Sequence, residues 1–292
     1  MKWFYLSLIA AFFTSLSDVF NKIVLKRVDE WIVIWLDLLV TIPFLLLFLK
    51  YFHFTLPSLD VFVIIAELLP MEIAAFYLYM KAIKVSPLSL TIPFLAFTPV
   101  FTILTACLIL GENISPAGTV GVLLVSIGAY LLNREEMLGR PLAPIKAIFK
   151  VPGSRYMLIV ALIYAVTSTL GKKAVLLSDP FSFGLVYIVS QAIVLTTINA
   201  FRFARNRSLF GSIKDSNIWK FVLAAGCSMA IMVVAHFSAI QLAPVSYMIS
   251  VKRLSLVISV LFGWLIFKEK HIFYRILGAS LMMCGVVLLY LY

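Results

Sequence analysis

Ten apolar runs, each near the roughly 20 residues that a bilayer-crossing helix needs, account for most of this chain. They fall near 3–21, 31–49, 60–80, 87–110 and 116–132, then 156–176, 181–201, 218–240, 244–267 and 272–291. Hydrocarbon offers backbone N–H and C=O groups no partner, so runs of this length are economical only as helices. Charged residues make up 13% of the chain, against about 25% in a soluble domain. The expected fold class is therefore all-α and integral to the membrane. Met1-Lys2 followed by Trp3 to Phe13 has the outline of a signal peptide, yet no small-residue cut site follows. The run continues through Asp18 and is read as a retained first helix.

The two halves repeat. Sliding the chain by 157 positions brings Ala82-Ile83 onto Ala239-Ile240, Pro87 onto Pro244 and Ser89 onto Ser246. It also brings Glu112 onto Glu269, Gly121 onto Gly278 and Gly128 onto Gly285. Earlier helices match at an offset of 151, where Tyr5, Ser17, Lys22 and Val24 meet Tyr156, Ser168, Lys173 and Val175. Greasy composition alone does not place Pro, Glu and paired Gly in register. Residues 1–133 form one five-helix repeat, 134–155 a polar linker, and 156–292 the second repeat. Five is odd, so the second repeat enters from the opposite face and the topology is inverted, an arrangement that places substrate sites near the midplane.

The net charge of +11 does not point to nucleic acid, because the cations sit in the links. Lys26, Arg27, Arg134, Arg202, Arg205 and Lys268 lie on one side, where a positive-inside bias puts the cytoplasm and leaves both termini outside. Cys107, Cys227 and Cys284 lie in apolar runs without metal or disulfide spacing and read as fillers. No nucleophile–base pair, phosphate loop or metal motif is present, so neither an enzyme nor a cofactor is expected.

The ionisable residues inside the runs are the candidates for function. Lys252 and Arg253 are adjacent in the ninth run, and a charge at the bilayer centre costs at least roughly 2.5 kcal/mol. Lys252, Ser255 and Ser259 share a helical face. Glu72 and Tyr79 share another, seven residues apart, and His236 matches Tyr79 across the repeat. These give a substrate-binding set of Lys252, Arg253, Glu72, Tyr79, His236 and Ser255. Asp18, Lys22, Asp37 and Glu67 are candidates for coupling or for an internal salt bridge. Asp18 and Lys22, four apart, could simply pair. Of the two acids flanking Pro70, Glu72 is the deeper and is favoured over Glu67. Pro93 and Pro99 interrupt helix 4, the mate of helix 9. The paired glycines read as helix packing, and Glu112 and Glu269 as caps on the helices that follow them.

Ten helices in a five-plus-five repeat, with Leu110-Gly111-Glu112 before Gly121 and Gly128, and Phe267-Lys268-Glu269 before Gly278 and Gly285, resemble the drug/metabolite transporter superfamily, EamA type. The resemblance implies a secondary transporter whose central cavity is lined by helices 1, 3, 4, 6, 8 and 9. It also implies cytoplasmic termini, the reverse of the charge count. Lys252-Arg253 looks like the basic pair of the sugar-phosphate translocator branch. That branch has a further lysine in helix 4, where this chain has Leu95-Ala96.

The expected function is alternating-access transport of a small polar metabolite, anionic or zwitterionic, in the plasma (inner) membrane. The partners are the lipid bilayer, that small molecule and a coupled proton or counter-substrate. The alternatives are efflux of cationic or amphipathic compounds, flipping of a lipid-linked carrier, and a scaffold that transports nothing.

Overall fold

A computed structural model describes residues 1–85, 92–131, 152–206, 216–258, 262 and 273–291. Among these the chain is helical throughout, with no strand. The helices are α1 (Lys2–Leu25), α2 (Glu30–Leu47), α3 (Leu59–Val85), α4 (Thr98–Leu110), α5 (Pro116–Leu131), α6 (Pro152–Leu176), α7 (Pro180–Arg205), α8 (Ser216–Leu242), α9 (Val245–Lys252) and α10 (Phe273–Leu291). Short 3-10 turns cover Phe48–Lys50 and Ile92–Phe97. Six helices, α1 to α3 and α6 to α8, are long and apolar enough to cross a membrane, and three shorter apolar helices accompany them. Large apolar side chains such as Leu104 and Leu108 are exposed on the outer faces, as a hydrocarbon surround requires. The chain is a multi-pass integral membrane protein.

Polar residues stop and start the helices at the links. Asp29 caps α2 by accepting the Trp31 N–H, and Asp179 caps α7 by accepting the Ser182 N–H at 2.8 Å, with Pro180 at the first helical position. Gly111 ends α4 at φ 65°, the left-handed conformation that side chains resist. The capping role expected of Glu112 at α5 belongs to Ser115, whose hydroxyl accepts the Gly118 N–H at 3.0 Å. Glu112 instead accepts the N–H of Val245 at 3.0 Å and so caps α9 from a distance. Its other oxygen pairs with Lys172 at 2.5 Å, and Lys172 also donates to the Ala243 carbonyl at 2.7 Å. Glu269, the repeat mate of Glu112, lies outside the described residues, as do Ser259 and most of the linker.

Tertiary packing follows the repeat. α1 packs along α8, and its mate α6 packs along α3. α5 and α10 lie antiparallel with their backbones in close contact. A Cβ added to Gly128 would sit 2.6 Å from the Gly278 carbonyl, and one added to Gly285 would sit 2.6 Å from the Gly121 carbonyl. These two contacts exchange under the repeat, so they are one contact seen twice. The glycines are packing residues, as their spacing predicts.

Two helices break in register. α9 ends at Lys252, Arg253 and Leu254 form a turn, and helix resumes at Ser255. Residues 157 positions earlier, Leu95 to Phe97, close the 3-10 turn that precedes α4. The break frees backbone groups inside the bundle. Just beyond it, the Ser255 carbonyl accepts the buried Ser15 hydroxyl of α1 at 2.5 Å.

Candidate functional site

α9 runs only 8 residues before its break, about 12 Å at 1.5 Å per residue. The break thus sets Lys252 and Arg253 deep in the bundle. Both are half-buried. Lys252 Nζ lies 3.3 Å from His236 Nδ1 and 3.5 Å from Met232 Sδ, both on α8. Arg253 Nη2 donates to Thr98 Oγ1 at 2.7 Å, across to the start of α4. Arg253 Nε is buried without a partner. Two neighbouring cations therefore point to different helices, and among the described residues neither makes an ion pair with a carboxylate.

Acids and hydroxyls face them. The Tyr79 hydroxyl of α3 donates to Asp18 Oδ1 of α1 at 3.4 Å. The charges of Lys252 and Arg253 both act on Asp18, and that of Lys252 acts on Glu72. Thr167 of α6 and Tyr187 of α7 turn their hydroxyls toward Glu72. Tyr164 of α6 lies within electrostatic reach of Glu72, Asp18 and Arg253. Side chains from α1, α3, α6, α8 and the break after α9 thus converge, with α7 behind Glu72. The repeat is pseudo-symmetric but this chemistry is one-sided, since Leu95-Ala96 stand where Lys252-Arg253 would recur.

Of the residues singled out from sequence, Lys252, Arg253, Glu72, Tyr79, His236 and Asp18 come together. Ser255 sits beside them at 4% exposure, held by its backbone against α1. Glu67 is exposed on the outside of α3, since five helical residues turn it well away from Glu72. Asp18 takes its hydrogen bond from Tyr79, sixty-one residues away, and Lys22 is half-buried one turn further on. Asp37 lies apart from this group, between α1, α2 and α8, where Asn21 Nδ2 donates to its Oδ2 at 2.9 Å. Thr98, Tyr164, Thr167 and Tyr187 were not singled out from sequence. Uncharged hydroxyls in greasy helices carry little signal, although Thr98 is the repeat mate of Ser255.

The two ends of the site are tied by polar contacts. On the face of the chain termini, Glu112, Lys172 and the start of α9 form the linkage described above. On the opposite face Arg202 Nη1 meets Asp29 Oδ1 at 2.8 Å, and Lys84 pairs with Glu30. Burial pushes the Asp29 carboxyl up, but Arg202 and the Trp31 N–H outweigh it and hold the group below the usual carboxylate range. Asp179 behaves the same way, with burial opposed by the Ser182, Thr55 and Phe181 hydrogen bonds.

Among the described residues no cluster of metal-ligating side chains occurs. The sequence model described as "EamA-like transporter family" matches residues 1–134 and again 151–291. No curated protein matches the chain. A solved structure, titled only "Crystal structure of protein", is similar over 99% of this chain and 96% of its own, with a TM-score of 0.75 at 14% identity. At that identity the likeness speaks for the fold alone.

Proposed function

We propose a transport function that starts from one fact: the chain belongs to the EamA-like transporter family, and is a membrane transporter of the drug/metabolite type. On that premise it moves a small polar metabolite carrying an anionic group, by alternating access between the two faces. The observation that carries this reading is the adjacent pair Lys252 and Arg253 at the helix break, without a carboxylate partner at ion-pair distance among the described residues. Arg253 carries a guanidinium whose Nη2 is held by Thr98 and whose buried Nε has no partner, and an arginine fork suits a carboxylate or phosphate. Glu72, with the Thr167 and Tyr187 hydroxyls around it, receives an amino group when the substrate is a zwitterion. Tyr79 and His236 close the space from the two halves. The polar ties at the two ends open alternately. The membrane is the plasma (inner) membrane, and no chemical step is catalysed.

The test is uptake into proteoliposomes with radiolabelled amino acids, dicarboxylic acids and phosphate esters, chosen by a thermal-shift screen of the purified protein. Arg253→Ala abolishes transport while the protein remains inserted and monodisperse. Transport that survives with unchanged affinity removes the central claim. A second reading, efflux of cations, is favoured by the two acids Asp18 and Glu72 in the same space. Competition by anions supports the first reading, and competition by organic cations alone supports the second.

A further inference from the structure

The first repeat holds a carboxyl group that the substrate site does not use. Asp37 lies seven residues into α2, and Asp18 lies seven residues from the end of α1. At 1.5 Å per residue both are about 10 Å in from the same face. Asp37 is 9% exposed. Its Oδ2 accepts the Asn21 amide at 2.9 Å, and that amide also lies 3.3 Å from the Ser17 hydroxyl. Its Oδ1 is buried and has no partner. Thr41, one turn along, bonds back to the Asp37 carbonyl at 2.7 Å and offers the carboxyl nothing.

Among the described residues no cation pairs with this group. The helices packed against α2 are α8, α7, α3 and α1. From α1 the ionisable neighbour that acts on Asp37 is Asp18, another acid. From α3, α7 and α8 no charged group among the described residues bears on it, and the amide of Asn21 is its one side-chain partner. On the α8 side it meets the close contact of Val40 with Gly226. A carboxylate without a counter-ion in such a place is costly to desolvate, whereas the neutral acid is tolerated. The second repeat has no equivalent, because Ile188 stands at the matching position and Lys172 at that of Asn21.

We propose that Asp37 is the proton-binding site of the transport cycle, holding one proton in the closed α1–α2–α8 packing and exchanging it with the Asp18 side of the central space when that packing opens. The step is a proton transfer only: the O–H bond at Asp37 breaks, and the proton passes to water in the opened space or to the Asp18 carboxylate. The proposal rests on the transport reading for its role in the cycle, while the presence of the proton stands by itself. Its effect would be to couple substrate movement to the proton gradient through a residue that never touches substrate.

Infrared difference spectroscopy of the lipid-reconstituted protein reads the proton directly. As pH is lowered from neutral to mildly acid, the wild type gains the C=O stretch of a protonated carboxyl, and Asp37→Asn lacks that component. Asn21→Ala, which removes the amide donor and keeps the acid, moves the band without abolishing it. In the same vesicles an inward proton gradient accumulates radiolabelled amino acids or dicarboxylates at least ten-fold in the wild type. Asp37→Asn loses that accumulation and Asp37→Glu restores it. A carboxyl band that persists unchanged in Asp37→Asn overturns the inference and leaves the Arg253 test untouched. Gradient-driven accumulation that survives Asp37→Asn overturns it as well. Failure of the wild type to move any tested compound counts instead against the transport reading, and the band assignment still decides the site.

Discussion

Four glycines give one substitution three different meanings, and the contact between α5 and α10 supplies the sharpest test of the fold. In Gly128→Ala the new methyl would lie 2.6 Å from both the Gly278 carbonyl oxygen and the Met282 nitrogen. Both are backbone atoms of the partner helix, so no side chain can rotate aside. The helices must separate by about 0.8 Å to restore ordinary carbon contact. Overpacking of this kind costs typically 1–3 kcal/mol, and the better helix propensity of Ala returns about 0.5–1. The expected net loss is about 0–2.5 kcal/mol. Gly285→Ala meets the Gly121 carbonyl at 2.6 Å and loses a similar amount. Gly171→Ala, inside α6, has its nearest neighbour at 3.8 Å and should gain about 0.5–1 kcal/mol from propensity alone. Gly111→Ala meets nothing within 4 Å but is held at φ 65°, and loses about 1 kcal/mol through strain. Thermal denaturation of the purified protein in one mild detergent ranks the four. Gly128→Ala behaving like Gly171→Ala would refute the close α5–α10 contact and the repeat geometry that predicts it.

The Glu112–Lys172 pair is largely buried, with side chains 15% and 9% exposed. Removing either partner alone should cost about 3–5 kcal/mol, and a double-mutant cycle by thermal denaturation should show coupling above about 1 kcal/mol. At Asp29 the sign of the pH effect follows from a folded-state pKa below the unfolded one. Its pairing with Arg202 stabilises fully above the ordinary carboxylate range and is lost as pH falls through the lowered value. Asp29→Asn should therefore flatten the acid limb of the stability profile, by no more than about 1 kcal/mol for a partly exposed pair. His236→Phe keeps the ring and removes the nitrogen beside Lys252; it should weaken substrate affinity several-fold in the uptake assay and leave thermal stability nearly unchanged.

Much of this architecture is written in periodicity. Run length fixes the helices, and the register of Glu112, Gly121 and Gly128 with their mates fixes the repeat. Seven-residue spacing places Glu72 and Tyr79 on one face, and the 157-residue offset links Tyr79 to His236; in the fold Tyr79 lies beside Asp18 and His236 beside Lys252. What was not legible is what depends on contacts between distant helices. Local spacing offers Lys22 to Asp18, but the tertiary partner is Tyr79. The rule that an acid in a link caps the next helix fails for Glu112, because Gly111 turns the chain before it. Thr167 and Tyr187 stand around Glu72 only because α6 lies along α3 and α7 packs behind. Their hydroxyls leave no trace in a hydropathy pattern.

The contact between α5 and α10 has a consequence for measurement. Two helices whose carbonyls leave no room for a methyl group cannot slide or tilt against each other without clashing. Whatever rearranges during the cycle must rearrange around them. Paired spin labels at the exposed positions Val120 and Val287 would then keep one distance in every state, supplying an internal ruler against which the movement of α1, α3 and α8 can be calibrated.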